Sequence, residues 1–511
     1  MGLGLIVIAI ILSWILVSRT RERRWVLPPG PIRLPLVGNL LLLSKVPHVS
    51  FAKLACQYGP IMTLWLGPIR TVVISSSDVA KEMFKNHDTV LAGRQIYESM
   101  KGEHGNEGSL VTAQYGSQWR LIRRLCTIEL FTGSRLDAAR TLRANSVDRM
   151  IHQIRNAGEN GTAAVDLHRC FYLMAFNHIG NLIFSKDLDD PNFEKGSKYF
   201  YHTCKLMEVS CKPNVADFLP ILKWLDPQGI KRMTRFHSKQ IFEVAKSFME
   251  ERIKIRECEE HGGDEDKRKD FLDVLLDFHG DDIKAPTTLS STFMNSIIAE
   301  LFAAGTDTTS STLEWAMAEL LHNPIILKKL QFELRTIIHP EKKLEEKDIE
   351  HLPYLMAVIK ETLRLHPPAP LLIPHMAMES CNMLGFDIPK NTQILVNIWA
   401  IGRDPKTWEN PLVFRPERFL EVDMVVDYKG SHFQYLPFGS GRRMCPAVPL
   451  ASRLLPFALG SVLHSFDWDL GDGLRPEDVE MSEMVGLTLR KFVPLKAIPV
   501  PFKNNCAPQH E

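Results

Sequence analysis

The sequence predicts a mainly α chain with small β-sheets, preceded by an N-terminal transmembrane helix. Three observations carry that expectation. Residues 2–18, GLGLIVIAIILSWILVS, hold no charge. As a helix they would span about 25 Å, close to the roughly 27 Å core of an endoplasmic reticulum bilayer. From about Asp78 to Leu365 helical periodicity dominates. Before it, two β-like runs, Ile61 to Leu66 and Arg70 to Ile74, are parted by Gly67-Pro68.

Arg19, Arg21, Arg23 and Arg24 follow the apolar run at once. Basic residues stay on the cytosolic side, so the N-terminus should face the lumen. A cleaved signal peptide would place its charge before the apolar run and small residues at the cut. This order is the reverse, so residues 1–24 read as an uncleaved anchor with a basic stop. The expectation is a single-pass protein of the endoplasmic reticulum membrane with its body in the cytosol. The sequon Asn160-Gly161-Thr162 would then never meet the glycosylation machinery. Residues 25–35, with Pro28-Pro29-Gly30-Pro31, form a stiff hinge that cannot prolong the anchor helix. With 511 residues, 45% of them hydrophobic, length alone would allow two or three domains. No linker interrupts the rest, so residues 36–511 are expected to be one domain. Glu259 to Lys269, EEHGGDEDKRK, reads as an exposed loop.

Composition also excludes. A net charge of +1 gives no reason to expect nucleic acid as a partner. Nine cysteines, an odd number with no CxxC pair, fit neither a disulfide framework nor a zinc ribbon. There is no GxGxxG after a strand and no GxxxxGK[ST], so the two commonest nucleotide-binding loops are missing.

Cys445 lies in FGSGRRMCPAVPL. A thiolate is a strong axial ligand for haem iron, and it needs backbone N–H groups or a helix N-terminus to stay ionised. Gly439 and Gly441 let the backbone bend toward the sulfur. Leu450, Leu454, Ala458 and Val462 form an i,i+4 row, as expected of a helix that starts just after the cysteine and is kinked at Pro456. Arg443 is placed to meet a buried carboxylate such as a haem propionate. A buried structural cysteine beside a Gly-rich turn is the alternative. Farther upstream, Ser290 to His322 reads as one helix of about 50 Å, ended by Asn323-Pro324. Its middle, Ala304-Gly305-Thr306-Asp307-Thr308-Thr309, is made of poor helix formers whose hydroxyls compete for backbone carbonyls. Such a local violation between apolar turns suggests a purpose, although a kinked core helix would look the same.

Phe438, Gly441, Arg443 and Cys445 match the haem-binding signature FxxGxRxCxG, so the chain resembles cytochrome P450 enzymes. Ala447 stands where that family usually has glycine. This puts the local backbone shape in question, not ligation. The resemblance implies the cytochrome P450 fold with its long central helix, haem b (iron protoporphyrin IX) as cofactor, and Cys445 as axial thiolate and metal ligand. It makes Asp307 and Thr308 the catalytic pair that delivers protons to oxygen, with Gly305 opening a groove for O2 and water. Glu361 and Arg364 match ExxR, and Pro416-Glu417-Arg418-Phe419 matches PERF, which implies a buried structural triad of Glu361, Arg364 and Arg418. Trp119 and Arg123 match the WxxxR helix, whose residues bond a haem propionate. His375 takes a position used for the same task. Arg120 and Arg124 are candidates for a basic surface that meets an acidic electron donor.

These motifs run in family order from residue 28 onward. SLVTAQYGSQWR, AVIKETLRLHPPAPLLIP and NIWAIGRDP are similar to plant microsomal members, most of all the geraniol-hydroxylase (family 76-like) group. The resemblance implies a monooxygenase that inserts one oxygen atom from O2 into a small lipophilic terpenoid, iridoid or alkaloid. Its electron donor would be NADPH–cytochrome P450 reductase. By analogy the pocket draws on Ile96 to Leu110, Cys204 to Phe218, Met294 to Ala304, Ala369 to Ile373 and Leu487-Thr488. Leu301, Ala304, Leu371, Leu372 and Leu487 are the apolar candidates. Glu300 shares the helical face of Ala304 and Asp307. It either holds backbone N–H groups of the 96–110 loop or pairs with a substrate amine or hydroxyl. Two other classes stay open: a haem-thiolate isomerase or dehydratase, which would need no reductase, and a non-catalytic haem-binding protein.

Overall fold

The computed structural model describes all residues except 1–24, 102–107, 189–192, 211, 213, 260–268, 281–287, 340, 422–425, 472, 487 and 503–511. The expected transmembrane helix over 2–18 therefore lies outside the described residues, as do most of the acidic 259–269 run and Leu487. No described helix is long and apolar enough to cross a membrane.

Seven helices position the site: α1 (Ser117–Leu130), α2 (Leu167–Phe184), α3 (Glu194–Ser210), α4 (Ile230–Glu259), α5 (Ser291–His322), α6 (Pro353–Leu365) and α7 (Val448–Ser465). The long central helix α5 starts one residue later than its sequence suggests. Ser290 is its N-cap, and the Ser290 hydroxyl accepts the Phe293 N–H at 3.1 Å. Asn323 and Pro324 end it, because proline cannot continue the ladder. Core side chains surround α5, with α2, α6 and α7 packed against it. Phe176, Phe184, Tyr199 and Phe302 interlock α2, α3 and α5 at ring separations of 4.9–6.4 Å. Helix α7 runs unbroken in assignment through Pro456.

The main sheet has five strands: β1 (Ile61–Leu66), β2 (Ile69–Ile74), β3 (Gly93–Arg94), β4 (His375–Met376) and β5 (Gln393–Val396). Their spatial order is β1-β2-β5-β4-β3, and only the β2–β5 pair is parallel. The β3–β4 register sets Arg94 opposite His375. A hairpin of β6 (Glu483–Val485) and β7 (Leu489–Lys491) leans on α5.

Candidate active site

The loop from Phe438 to Cys445 is closed by a bond from the Cys445 N–H to the Phe438 carbonyl at 3.0 Å. Gly439 and Gly441 have φ of +72° and +66°, the left-handed region that glycine occupies without strain. A Cβ on Gly441 would also lie 2.4 Å from a carboxylate oxygen of Asp88, which accepts the Arg442 N–H. Ala447 has φ of −89°, so alanine fits there without strain. Its N–H bonds the Cys445 sulfur. Burial pushes the Cys445 thiol above its ordinary range, while the Ala447 N–H and the Arg123 charge pull it down. A metal ion on the sulfur would deprotonate it outright.

Cations crowd this loop. Arg443 donates from Nε to Ala92 O at 2.9 Å and from Nη2 to Ala113 O at 2.6 Å, and its guanidinium lies 4.4 Å from the Trp119 ring centre. Its Nη1 is buried without a partner among the described residues. Arg123 donates to Met444 O, next to the cysteine. The indole N–H of Trp119 goes to Leu110 O at 2.9 Å. His375 Nδ1 lies 2.9 Å from Leu91 O. Arg94, which the motifs did not reveal, is 5% exposed and donates to Val111 O at 3.1 Å and Ile373 O at 2.7 Å. Desolvation first, then mutual repulsion, lowers Arg94 to about 9 and Arg443 to about 10, and holds His375 well below its usual range. Three guanidiniums, a neutral imidazole and a thiol, with one buried hydrogen-bond donor left over, form a desolvated site with surplus positive charge. That donor set fits an iron porphyrin carrying two carboxylates.

Glu300 is the carboxylate that offsets Arg443. It accepts N–H bonds from Leu110 at 2.6 Å and Val111 at 3.1 Å, and a bond from the Ser109 hydroxyl. Burial lifts it to about 7 in spite of those donors. A chain of contacts thus joins α5 to the cysteine loop: Glu300 to Leu110, Leu110 to Trp119, Trp119 to Arg443. One turn on from Glu300, Ala304 is exposed within a helix whose other faces are largely buried. Thr308 Oγ1 donates back to Ala304 O at 2.6 Å, and Thr309 Oγ1 to Gly305 O at 2.7 Å. Asp307 is fully buried and accepts from Thr488 and Arg490.

Gly305 differs from the expectation. A Cβ there would meet Ile179 of α2 at 2.9 Å. The missing side chain lets two helices approach, so its open side faces α2. Leu301 packs partly buried against the core. Leu371 packs against the Phe51–Met62–Leu64 cluster. Leu372, at φ +52°, reaches to 3.7 Å from where a Gly439 Cβ would stand.

Glu361, Arg364 and Arg418 are at most 2% exposed. Arg364 forks onto Glu361 at 2.7 and 2.8 Å, and Arg418 Nε adds a third bond at 3.0 Å. The two guanidiniums spend their other donors on carbonyls of 402–413, so the network pins that loop to α6.

The family model for Cytochrome P450 matches residues 28–494. An iridoid oxidase of Catharanthus roseus is 42% identical over 477 residues, 92% of each chain. A geraniol 8-hydroxylase of the same plant is 42% identical over 473 residues, 93% of this chain and 94% of its own. A geranylhydroquinone 3''-hydroxylase of Arnebia euchroma is 41% identical, covering 98% of this chain and 99% of its own. Among solved structures, a zebra fish cytochrome P450 with abiraterone superposes with a TM-score of 0.71 at 27% identity, over 90% of this chain and all of that one. A thiol loop with guanidiniums in surplus, tied through Trp119 and Leu110 to Glu300 of the long helix, thus sits in a chain that belongs to the cytochrome P450 family, whose monooxygenases hold haem by a cysteine thiolate.

Proposed function

We propose that this protein inserts one oxygen atom from O2 into a small lipophilic plant metabolite of monoterpenoid or iridoid type, using electrons that NADPH–cytochrome P450 reductase delivers. The observation that carries the reading is the chain of contacts from the Cys445 loop to α5: Arg443 against the Trp119 ring, Trp119 to Leu110, and Leu110 to Glu300, one turn before Ala304. Haem held there supplies oxygen activation, and thiolate donation favours O–O cleavage. Cys445 is the ligand. Arg443, Arg94 and Arg123 neutralise the propionates, with Trp119 and His375 orienting them. Phe438 and Gly441 shape the loop. Asp307 and Thr308 hold and pass the proton, and for this the Thr308 hydroxyl has to turn away from Ala304 O. Leu301, Ala304, Leu371 and Leu372 remain the apolar candidates for excluding water and presenting the substrate, and Leu487 lies outside the described residues. Glu300 keeps the 109–111 loop against α5. The named substrates of the relatives, geraniol and iridoids, fit an apolar pocket with few polar groups.

The membrane side is read from exposed apolar residues. Ile32 is 93% exposed, Leu36 77%, Ile221 78% and Trp224 79%. Two contacts bring these segments together: the Gly67 N–H donates to Val37 O at 3.2 Å, and a Gly67 Cβ would strike Phe218 O. Such a patch suits a lipid surface, next to an anchor at residues 2–18 in the endoplasmic reticulum membrane.

The test is incubation of yeast microsomes containing the protein and a plant reductase with monoterpenols, iridoids, diterpenes and benzylisoquinolines. Mass spectrometry should find an NADPH-dependent product of a monoterpenol or iridoid that has gained one oxygen atom. A product formed equally without NADPH would sink the reading.

A further inference from the structure

We propose that Arg490 and Thr488 are positioning residues that hold both carboxylate oxygens of Asp307 from the β6–β7 hairpin, and so set the proton-relay carboxylate from outside α5. The inference rests on the role given to Asp307 above.

Asp307 has no exposed side-chain surface. The Thr488 hydroxyl donates to its Oδ2 and the Arg490 guanidinium to its Oδ1. A buried carboxylate without a cation is costly, so this pairing decides its charge. Each capped oxygen keeps a further lone pair, so Asp307 can still accept from water or from Thr308 while its charge is held. The hairpin is a fixed platform for these donors. Leu489 O accepts from Ser311 Oγ at 2.7 Å and Trp315 Nε1 at 3.0 Å, and Leu489 N donates to Pro368 O at 2.8 Å. At its foot Glu483 lies 2.9 Å from His48 Nε2 and accepts from Trp399 Nε1 at 3.1 Å. Thr488 and Arg490 are two residues apart, on one face of the strand. The Arg490 side chain is 25% exposed, so it links the buried acid to solvent, and its Nε lies buried without a partner among the described residues.

The experiment uses the full chain with a plant reductase in yeast microsomes, with geraniol as probe. It measures hydrogen peroxide released per NADPH consumed, a ratio that needs no hydroxylated product. When the second proton is not directed to the oxygen atom that leaves as water, O2 that has taken two electrons and two protons is lost as hydrogen peroxide. The reduced carbon monoxide spectrum checks folding. Asp307→Asn and Arg490→Gln should each raise the peroxide fraction severalfold, and the double variant should exceed neither. Arg490→Lys should restore most of the loss, and Thr488→Val, which removes one neutral donor, should show a smaller rise. Thermal loss of the carbon monoxide spectrum should be non-additive for the Asp307→Asn and Arg490→Gln pair, as expected of direct contact. A rise with Asp307→Asn but none with Arg490→Gln or Thr488→Val overturns this proposal alone. No rise with Asp307→Asn overturns the relay role of Asp307 and the proposal with it.

Discussion

Glu300 accepts two backbone N–H groups and a hydroxyl, yet burial still lifts it to about 7 from an ordinary value of 4.5. Folding therefore favours its protonated form. Between those two values the folded chain binds more protons at this site than the unfolded chain, so stability falls as pH rises through that window. Glu300→Gln keeps hydrogen-bonding capacity but cannot titrate. Its melting temperature should decline less than that of the parent protein between about pH 5 and pH 7, measured as the difference between two melting series. Equal slopes would mean the carboxylate is ionised throughout. Glu361 takes three charge-assisted bonds from Arg364 and Arg418 and has no exposed surface. Glu361→Gln would leave two buried guanidiniums without their anion, at a cost of about 3–5 kcal/mol. It should express with little or no haem-bound fraction, read from the reduced carbon monoxide spectrum.

At the level of elements, α5 and α2 meet where Gly305 lacks a side chain and Ile179 fills the space. Gly305→Val would drive two methyl groups into that contact, an overpacking expected to cost about 1–3 kcal/mol. Gly305→Val paired with Ile179→Ala should recover much of the lost melting temperature. Recovery marks a helix-packing glycine; loss of turnover at unchanged melting temperature would restore the oxygen-groove reading. This glycine shows where sequence is legible and where it stops. The order Ala-Gly-Thr-Asp-Thr-Thr marks the functional turn, because poor helix formers in a long apolar helix stand out in one dimension. The side on which the missing Cβ lies depends on the packing partner, which only the fold supplies. Cys445 was legible from its Gly-rich loop, but Glu361 and Arg364 only through their match to ExxR, since taken alone they read as an ordinary surface ion pair. Arg94 and Arg490 were not: each acts through a residue 281 or 183 positions away, His375 in the strand register or Asp307 across a hairpin. The Ala447 question was also local, but a φ angle was needed to answer it.

For the molecule as a whole, a lipophilic substrate of the kind proposed would be drawn from a bilayer, so the exposed apolar surface bears on supply. Exposed apolar residues occur along much of the described chain, and two groups of them meet. They join the 32–42 stretch to the 221–225 stretch across the Gly67 turn. Basic residues flank them, with Lys223 1 position from Trp224 and paired to Glu98 at 3.4 Å. Glu98 also gives its N–H to Asp217, so the 97–101 segment and the 215–225 segment close over one another beside the apolar patch. An apolar side chain moved from water into the interface gains on the order of 2 kcal/mol. Ile221→Glu with Trp224→Glu should therefore weaken membrane attachment of a chain lacking residues 2–18 by well over tenfold, measured by flotation with vesicles. In the full chain the same pair should raise the apparent KM for a membrane-partitioned substrate and leave kcat little changed, because neither side chain belongs to the cysteine loop or to the polar turn of α5. If flotation of the shortened chain is unchanged, this face does not rest on lipid and the orientation argument fails with it.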